Sequence, residues 1–166
     1  MNKATDSARS IAGLLVERGW TLGVAESCTG GLISHCITNV PGSSTFFVGG
    51  IVAYANRIKR DLLGVPEALL VAHGAVSRQV ALAMAKNVRR VLGSDVGIAV
   101  TGIAGPTGGS AQKPVGTVFV ALSSPLGDEV KHHTWNSNRE ENKRLSAEAA
   151  LALLEGQMVR WQMQNG

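Results

Sequence analysis

Cysteine is nearly absent: Cys28 and Cys36 are the only two in the chain. They are too few for a disulfide framework and lack the spacing of a zinc site, which fits a reduced compartment. Aromatic residues are also scarce, at 4%, and they form no series on which bases could stack. The net charge is +4, with the basic residues scattered rather than clustered. That balance suits an anionic ligand and does not point to nucleic acid. No apolar run approaches the roughly 20 residues of a membrane helix. The first residues, MNKATDSARSIAGLLVERGW, lack a signal-peptide pattern, because Glu17 and Arg18 interrupt a short apolar run. The expectation is a cytoplasmic protein that binds neither membrane nor nucleic acid.

Several catalytic signatures are missing as well. There is no H-E-x-x-H, and none of the four histidines, His35, His73, His132 and His133, has an obvious acidic partner. No metal and no cofactor are expected. The glycines at 102, 105, 108 and 109 match neither G-x-x-x-x-G-K-[ST] nor G-x-G-x-x-G. The G-x-S-x-G nucleophile elbow is absent too.

What is present is a 166-residue chain, 45% apolar and 17% charged, without repeats or a dividing linker. It reads as one globular domain. Apolar periodicity predicts a helix over 5–19, with Asp6 or Ser7 as its cap. Short apolar strands are predicted over 21–25, 48–54 and 95–100. Helices are predicted over 31–39, 56–63 and 78–92, the last capped by Ser77 with a stripe of Val80, Met84, Val88 and Val91. Pro66 can start a further helical turn and Gly74 stop it. A strand pair and a long helix over about 139–163 close the chain. The pattern predicts a three-layer α/β/α sandwich around a mixed sheet.

In such sheets ligands gather beyond the carboxyl ends of the strands. Three polar or glycine-rich segments follow strands. The first is AESCTGG, residues 25–31. Spacing alone leaves Ser27 either as a helix cap or as a nucleophile beside unpaired backbone N–H groups. Cys28 is a rival nucleophile or a small buried residue. The second is YANRIK, residues 54–59, where Lys59 is either a solvated residue or a base. The third is TGIAGPTGG, residues 101–109, either a flexible turn or backbone that approaches a ligand closely. Thr101 can put its hydroxyl into the same cleft.

Taken together, the stretches AESCTGGL, PGSS, YANRIK followed by LLGV, HGAVS, TGIAGPTGGS and KPVGTV resemble the carboxy-terminal domain of the competence-damage-inducible protein CinA, the nicotinamide-nucleotide amidase family. The resemblance runs from about residue 20 to 122 and weakens after 125. It implies a stand-alone domain that hydrolyses nicotinamide mononucleotide to nicotinate mononucleotide and ammonia without metal. It implies Ser27 as nucleophile and Lys59 as its base, with Tyr54 and Thr101 completing the catalytic set. Cys28, Thr29, Gly30, Gly31, Asn56, Gly102, Ile103, Ala104, Gly105 and Arg139 are then the substrate-binding positions. Glycines 30, 31, 102 and 105 match close-approach positions. The chain departs from the family at Ala55, Arg57, Gly49 and Ser137-Asn138-Arg139. Other expectations are a nucleotide-binding domain without catalysis and an amidase for a related small amide.

The chemistry adds a structural demand. A lysine at its reference pKa is neutral in only about one molecule in 2,500 at pH 7, a handicap of ~4.6 kcal/mol. Lys59 is therefore expected to be at least partly buried and within reach of the Ser27 hydroxyl, with Arg57 and Arg60 able to help lower its pKa. The N–H groups of 28–31 are expected to hold the oxyanion. Those of 102–105, or less readily Arg139, are expected to hold a phosphate, since Arg139 reads first as a solvated residue at a helix start. The last helix carries Leu151, Leu154, Met158 and Trp161 on one face and Leu145, Ala149, Ala152, Gly156 and Val159 on the other. One face can pack on the sheet, and the other predicts a homodimer or higher homo-oligomer.

Overall fold

Alternating large and small residues along the central strands decide how the layers stack. Successive strand side chains point to opposite faces. In β1 (Leu22–Glu26) and β3 (Val96–Gly102), Leu22, Val24, Ile98 and Val100 join one core, while Ala25 and Ala99 join the other. The computed structural model describes residues 3–166. Its remaining elements are α1 (Lys3–Arg18), α2 (Leu32–Thr38), β2 (Phe47–Val52), α3 (Asn56–Asp61), α4 (Glu67–His73), α5 (Arg78–Leu92), β4 (Thr117–Ser124), β5 (Gly127–Thr134) and α6 (Arg139–Asn165).

The sheet order is β2-β1-β3-β4-β5. β1 runs parallel to β2 and β3, and β4 runs antiparallel to β3 and β5. The large residues meet α1, α2 and α6 on one face; the small ones meet α5 on the other, with Leu63 and Val65 beside it. This is the expected sandwich. The small face lets α5 come close: a Cβ on Gly97 would stand 2.2 Å from the Ala85 carbonyl oxygen. The chain leaves β1 for β2 on one side and reaches β3 on the other. The switch point beside β1, where such folds bind ligands, therefore falls at Ser27.

Three expectations are corrected here. Asp6 and Ser7 do not cap α1, because both lie within the helix; Ser7 Oγ instead donates to Glu155 Oε2 on α6. Val91 is not part of the α5 stripe and is 37% exposed. The row follows i, i+4 steps through buried Val80, Met84 and Val88 to partly buried Leu92, whose Cδ1 lies 3.1 Å from where a Cβ on Gly23 would stand. The segment 101–102, expected in a loop, continues β3 and pairs with β4. Ser77 caps α5 as expected, its Oγ accepting from Val80 N at 3.2 Å.

On α6, Leu151, Leu154 and Met158 are buried in the core, whereas Ala152 and Val159 stay exposed. Trp161, expected with the packed face, is partly exposed and lies against the Arg18 guanidinium. Among the described residues no helix is long and apolar enough to cross a membrane.

Candidate active site

The loop after β1 is anchored by a residue that sequence reasoning passed over. Glu26 is fully buried, and its carboxylate accepts from Gly31 N and Ile33 N at 3.1 Å and from Ser34 N and Ser34 Oγ at 2.9 Å. A buried carboxylate needs such donors to remain inside. The Glu26 carbonyl also accepts from Ala53 N at 2.7 Å, which ties the segment after β2 to the same place. The only signal in the sequence is an acid ending an otherwise apolar strand. Gly30 and Gly31, at φ +61° and +101°, let the backbone fold back so that the carboxylate reaches these donors.

Ser27 follows directly. Its N–H donates to Val100 O at 3.0 Å, and its side chain is 7% exposed. Lys59 rises from α3 to meet it. The Lys59 Nζ lies 3.0 Å from Ser27 Oγ and 3.0 Å from the Tyr54 carbonyl oxygen. The whole lysine is only 1% exposed. Burial pushes its pKa below the ordinary lysine value, with nearby Cys28 pulling weakly the other way. The arginines do not contribute as expected: Arg60 pairs with Asp61 and Glu67, and Arg57 is exposed. Burial pushes the Cys28 thiol up to about 12, the reverse of what a thiolate nucleophile requires.

A cleft of about 210 Å³ opens over this pair, lined by Ser27, Cys28, Tyr54, Asn56, Lys59, Ala75, Val76, Thr101, Gly102, Ala104 and Arg139. Nine of these were named from sequence; Ala75 and Val76 were not. Thr29, Gly30 and Gly31 line an adjoining groove that also touches Arg139. Ile103 and Gly105 line neither cavity. Thr101 is buried at the cleft wall, but its hydroxyl donates to Ala75 O at 2.9 Å and so fixes the neighbouring loop.

Arg139 is not merely solvated. It donates to Gly105 O at 2.7 Å and to Tyr54 Oη at 3.0 Å, joining two of the three loops at the rim. Buried Asn142, one turn on, donates to Ala104 O and Ser137 O at 3.0 Å. The start of α6 thus holds the 104–105 backbone, a role the sequence did not disclose.

Two groups of backbone donors are narrower than expected. In the 28–31 turn, Gly30 N donates to Ser27 O and Gly31 N to Glu26. Among the described residues Thr29 N is left without an acceptor, and the Cys28 N–H faces only its own thiol sulfur. In the 102–105 segment, Ile103 N is spent on Thr117 O. The glycines there also accommodate the chain's own side chains. A Cβ on Gly102 would stand 2.6 Å from Val118 Cγ2, and one on Gly105 2.4 Å from Val115 Cγ1. Among the described residues, no group of His, Cys, Asp and Glu could hold a metal ion.

The arrangement is a serine hydroxyl beside a desolvated amine, with free N–H donors next to it. Comparison with known proteins adds a family. The family model described as the CinA C-terminal domain matches residues 4–158. The chain is 49% identical over 149 residues to a CinA-like protein of Geotalea uraniireducens (strain Rf4), and 51% identical over 150 residues to one of Geobacter sulfurreducens. Each match covers 90% of this chain and 36% of the relative, so the chain spans about a third of those proteins. Among solved structures, competence/damage inducible protein CihA from Agrobacterium tumefaciens superposes with a TM-score of 0.92 at 39% identity, covering 95% of this chain and 96% of that one. A CinA superfamily protein from Klebsiella pneumoniae 700603 gives 0.90 at 30%, covering 95% and 99%.

Proposed function

We propose that this chain, which belongs to the CinA C-terminal domain family, is an amidohydrolase that converts nicotinamide mononucleotide to nicotinate mononucleotide and ammonia. The observation that carries this reading is the 3.0 Å approach of buried Lys59 Nζ to Ser27 Oγ. Binding a nucleotide does not require an amine buried against a serine. Activating a hydroxyl requires a base, and a desolvated amine within hydrogen-bond reach supplies one.

Lys59 works as a base only when neutral. It then donates an N–H to the Tyr54 carbonyl and receives the Ser27 O–H on its lone pair. Ser27 Oγ attacks the carboxamide carbon, and Lys59 takes the proton. The N–H groups of Cys28 and Thr29 hold the oxyanion of the tetrahedral intermediate. The C–N bond breaks, and Lys59 returns the proton to the departing ammonia. A water molecule, deprotonated by Lys59, then cleaves the nicotinoyl ester and restores the Ser27 hydroxyl. Glu26, Thr101 and Arg139 act by fixing the loops that carry these groups.

The same proposal includes a homodimer or higher homo-oligomer. It is supported by the exposed apolar residues Ala152 and Val159 on the outer face of α6. The test of the activity is ammonia release from nicotinamide mononucleotide, without added metal, by wild type, Ser27→Ala and Lys59→Ala. Turnover is expected only in wild type. Turnover that survives in either variant overturns the proposed pair.

A further inference from the structure

Two stretches of the sequence, HGAVS and KPVGTV, have no part in the proposed chemistry. The fold brings them together. HGAVS spans residues 73–77, from the end of α4 to the cap of α5, and its Ala75 and Val76 line the cleft over Ser27 and Lys59. KPVGTV begins at Lys113, near the far end of the glycine-rich loop between β3 and β4. Lys113 Nζ donates to His73 O at 2.7 Å, across 40 residues of chain.

Three successive carbonyls of the 73–77 segment are each held by a side chain. His73 O accepts from Lys113 Nζ, Gly74 O from Ser77 Oγ at 2.9 Å and Ala75 O from Thr101 Oγ1 at 2.9 Å. The three ties differ in origin. Ser77 belongs to the segment itself, Thr101 to the central sheet and Lys113 to the loop. A cation suits the end of α4, because a helix C-terminus presents unpaired carbonyls with partial negative charge. Gly74 leaves room for it: even an added Cβ there would stand 3.4 Å from Lys113 Nζ. Lys113 is itself fixed by a small turn, in which Ser110 N donates to Lys113 O at 2.8 Å and Lys113 N to Ser110 Oγ at 3.0 Å. At its other end the loop is held by Arg139 on Gly105 O and Asn142 on Ala104 O.

We propose that Lys113 is a positioning residue, whose ammonium clamps the end of α4 and so sets Ala75 and Val76 as the wall that closes the cleft around the substrate's amide-bearing ring. Loss of the clamp leaves Thr101 to hold the wall, and the cleft of about 210 Å³ widens. Ser27 and Lys59 are held by other contacts, to Val100 O and Tyr54 O, so the chemical step stays intact. The inference deepens the amidase reading and rests on it only for the kinetic arm of the test.

The test compares wild type, Lys113→Met and Lys113→Arg, each shown by its thermal melt to be folded. The first readout is the rate at which N-ethylmaleimide labels Cys28, a residue of the same cleft. Peptide mass spectrometry follows Cys36, buried on α2, separately as the control. Lys113→Met should speed labelling of Cys28 at least about threefold and leave Cys36 unchanged, whereas Lys113→Arg, which keeps a charged donor, should match wild type. The second readout is ammonia release from nicotinamide mononucleotide. Lys113→Met should raise KM at least about threefold and keep kcat within about twofold, the pattern of a contact made equally in ground and transition states. Unchanged labelling of Cys28 in Lys113→Met overturns the clamp, as does acceleration at both cysteines, which marks a loosened fold. A fall in kcat with KM unaltered overturns it, and so does a Lys113→Arg variant that behaves like Lys113→Met. If wild type releases no ammonia, acceleration confined to Cys28 still supports the clamp while the amidase reading falls.

Discussion

Glu26 Oε1 accepts from both the N–H and the Oγ of Ser34, each at 2.9 Å, while Oε2 holds Gly31 and Ile33. One buried carboxylate therefore organises the turn that carries Ser27. Glu26→Gln places an NH₂ against N–H donors and should cost about 1–3 kcal/mol of stability. Denaturant unfolding measures this. Turnover should fall through kcat more than KM, because the substrate never touches the carboxylate. A variant as stable and active as wild type contradicts the anchoring role.

Lys59 gives a pH signature with a definite sign. Burial lowers its pKa below the ordinary value of 10.5. The protonated amine is inactive, so kcat/KM should rise with pH through the lowered value and level off before 10.5. Stability follows the same sign. Between the folded and unfolded pKa values the unfolded chain binds more protons. The wild type therefore gains stability relative to Lys59→Met as pH rises through that window, and it loses this gain as pH falls back through the window, with none left below the folded value. Unfolding curves of both proteins across the window check the sign.

Two glycines should respond in opposite directions. Gly97→Ala drives a methyl to 2.2 Å from Ala85 O and 2.7 Å from Arg89 Cγ. It should cost about 1–3 kcal/mol, since the α5 backbone cannot yield cheaply. Gly13 lies inside α1 with nothing within 4 Å of an added Cβ. Gly13→Ala should stabilise by about 0.5–1 kcal/mol through helix propensity. Thermal melts of the two variants compare them directly.

The layered fold was legible because its signals are local. The alternation in LGVAE and VGIAVTG, the Ser77 cap and the glycines that end helices each act within a few residues. The site was legible only in part. Three polar segments after strands marked the right edge of the sheet, but Ser27 and Lys59 are 32 residues apart. Spacing left each of them with an ordinary reading, and the family resemblance joined them. Glu26 and Asn142 escaped notice because a polar side chain that turns inward leaves no periodic trace. Gly102 and Gly105 match close-approach positions, and what they approach includes the chain's own Val118 and Val115, while Gly102 also lines the cleft. A sequence shows that backbone must pass close to something, not what that something is. The free donors were overcounted for the same reason: which N–H groups are spent depends on contacts such as that of Gly31 with Glu26.

The most direct test of the central claim is ammonia release from nicotinamide mononucleotide by wild type, Ser27→Ala and Lys59→Ala, each shown to be folded and assayed without added metal. The account predicts turnover by wild type and a fall of at least about 10³-fold in each variant, as expected when a nucleophile or its base is removed. A folded wild type that releases no ammonia, or a Lys59→Ala variant that keeps its rate, would contradict it.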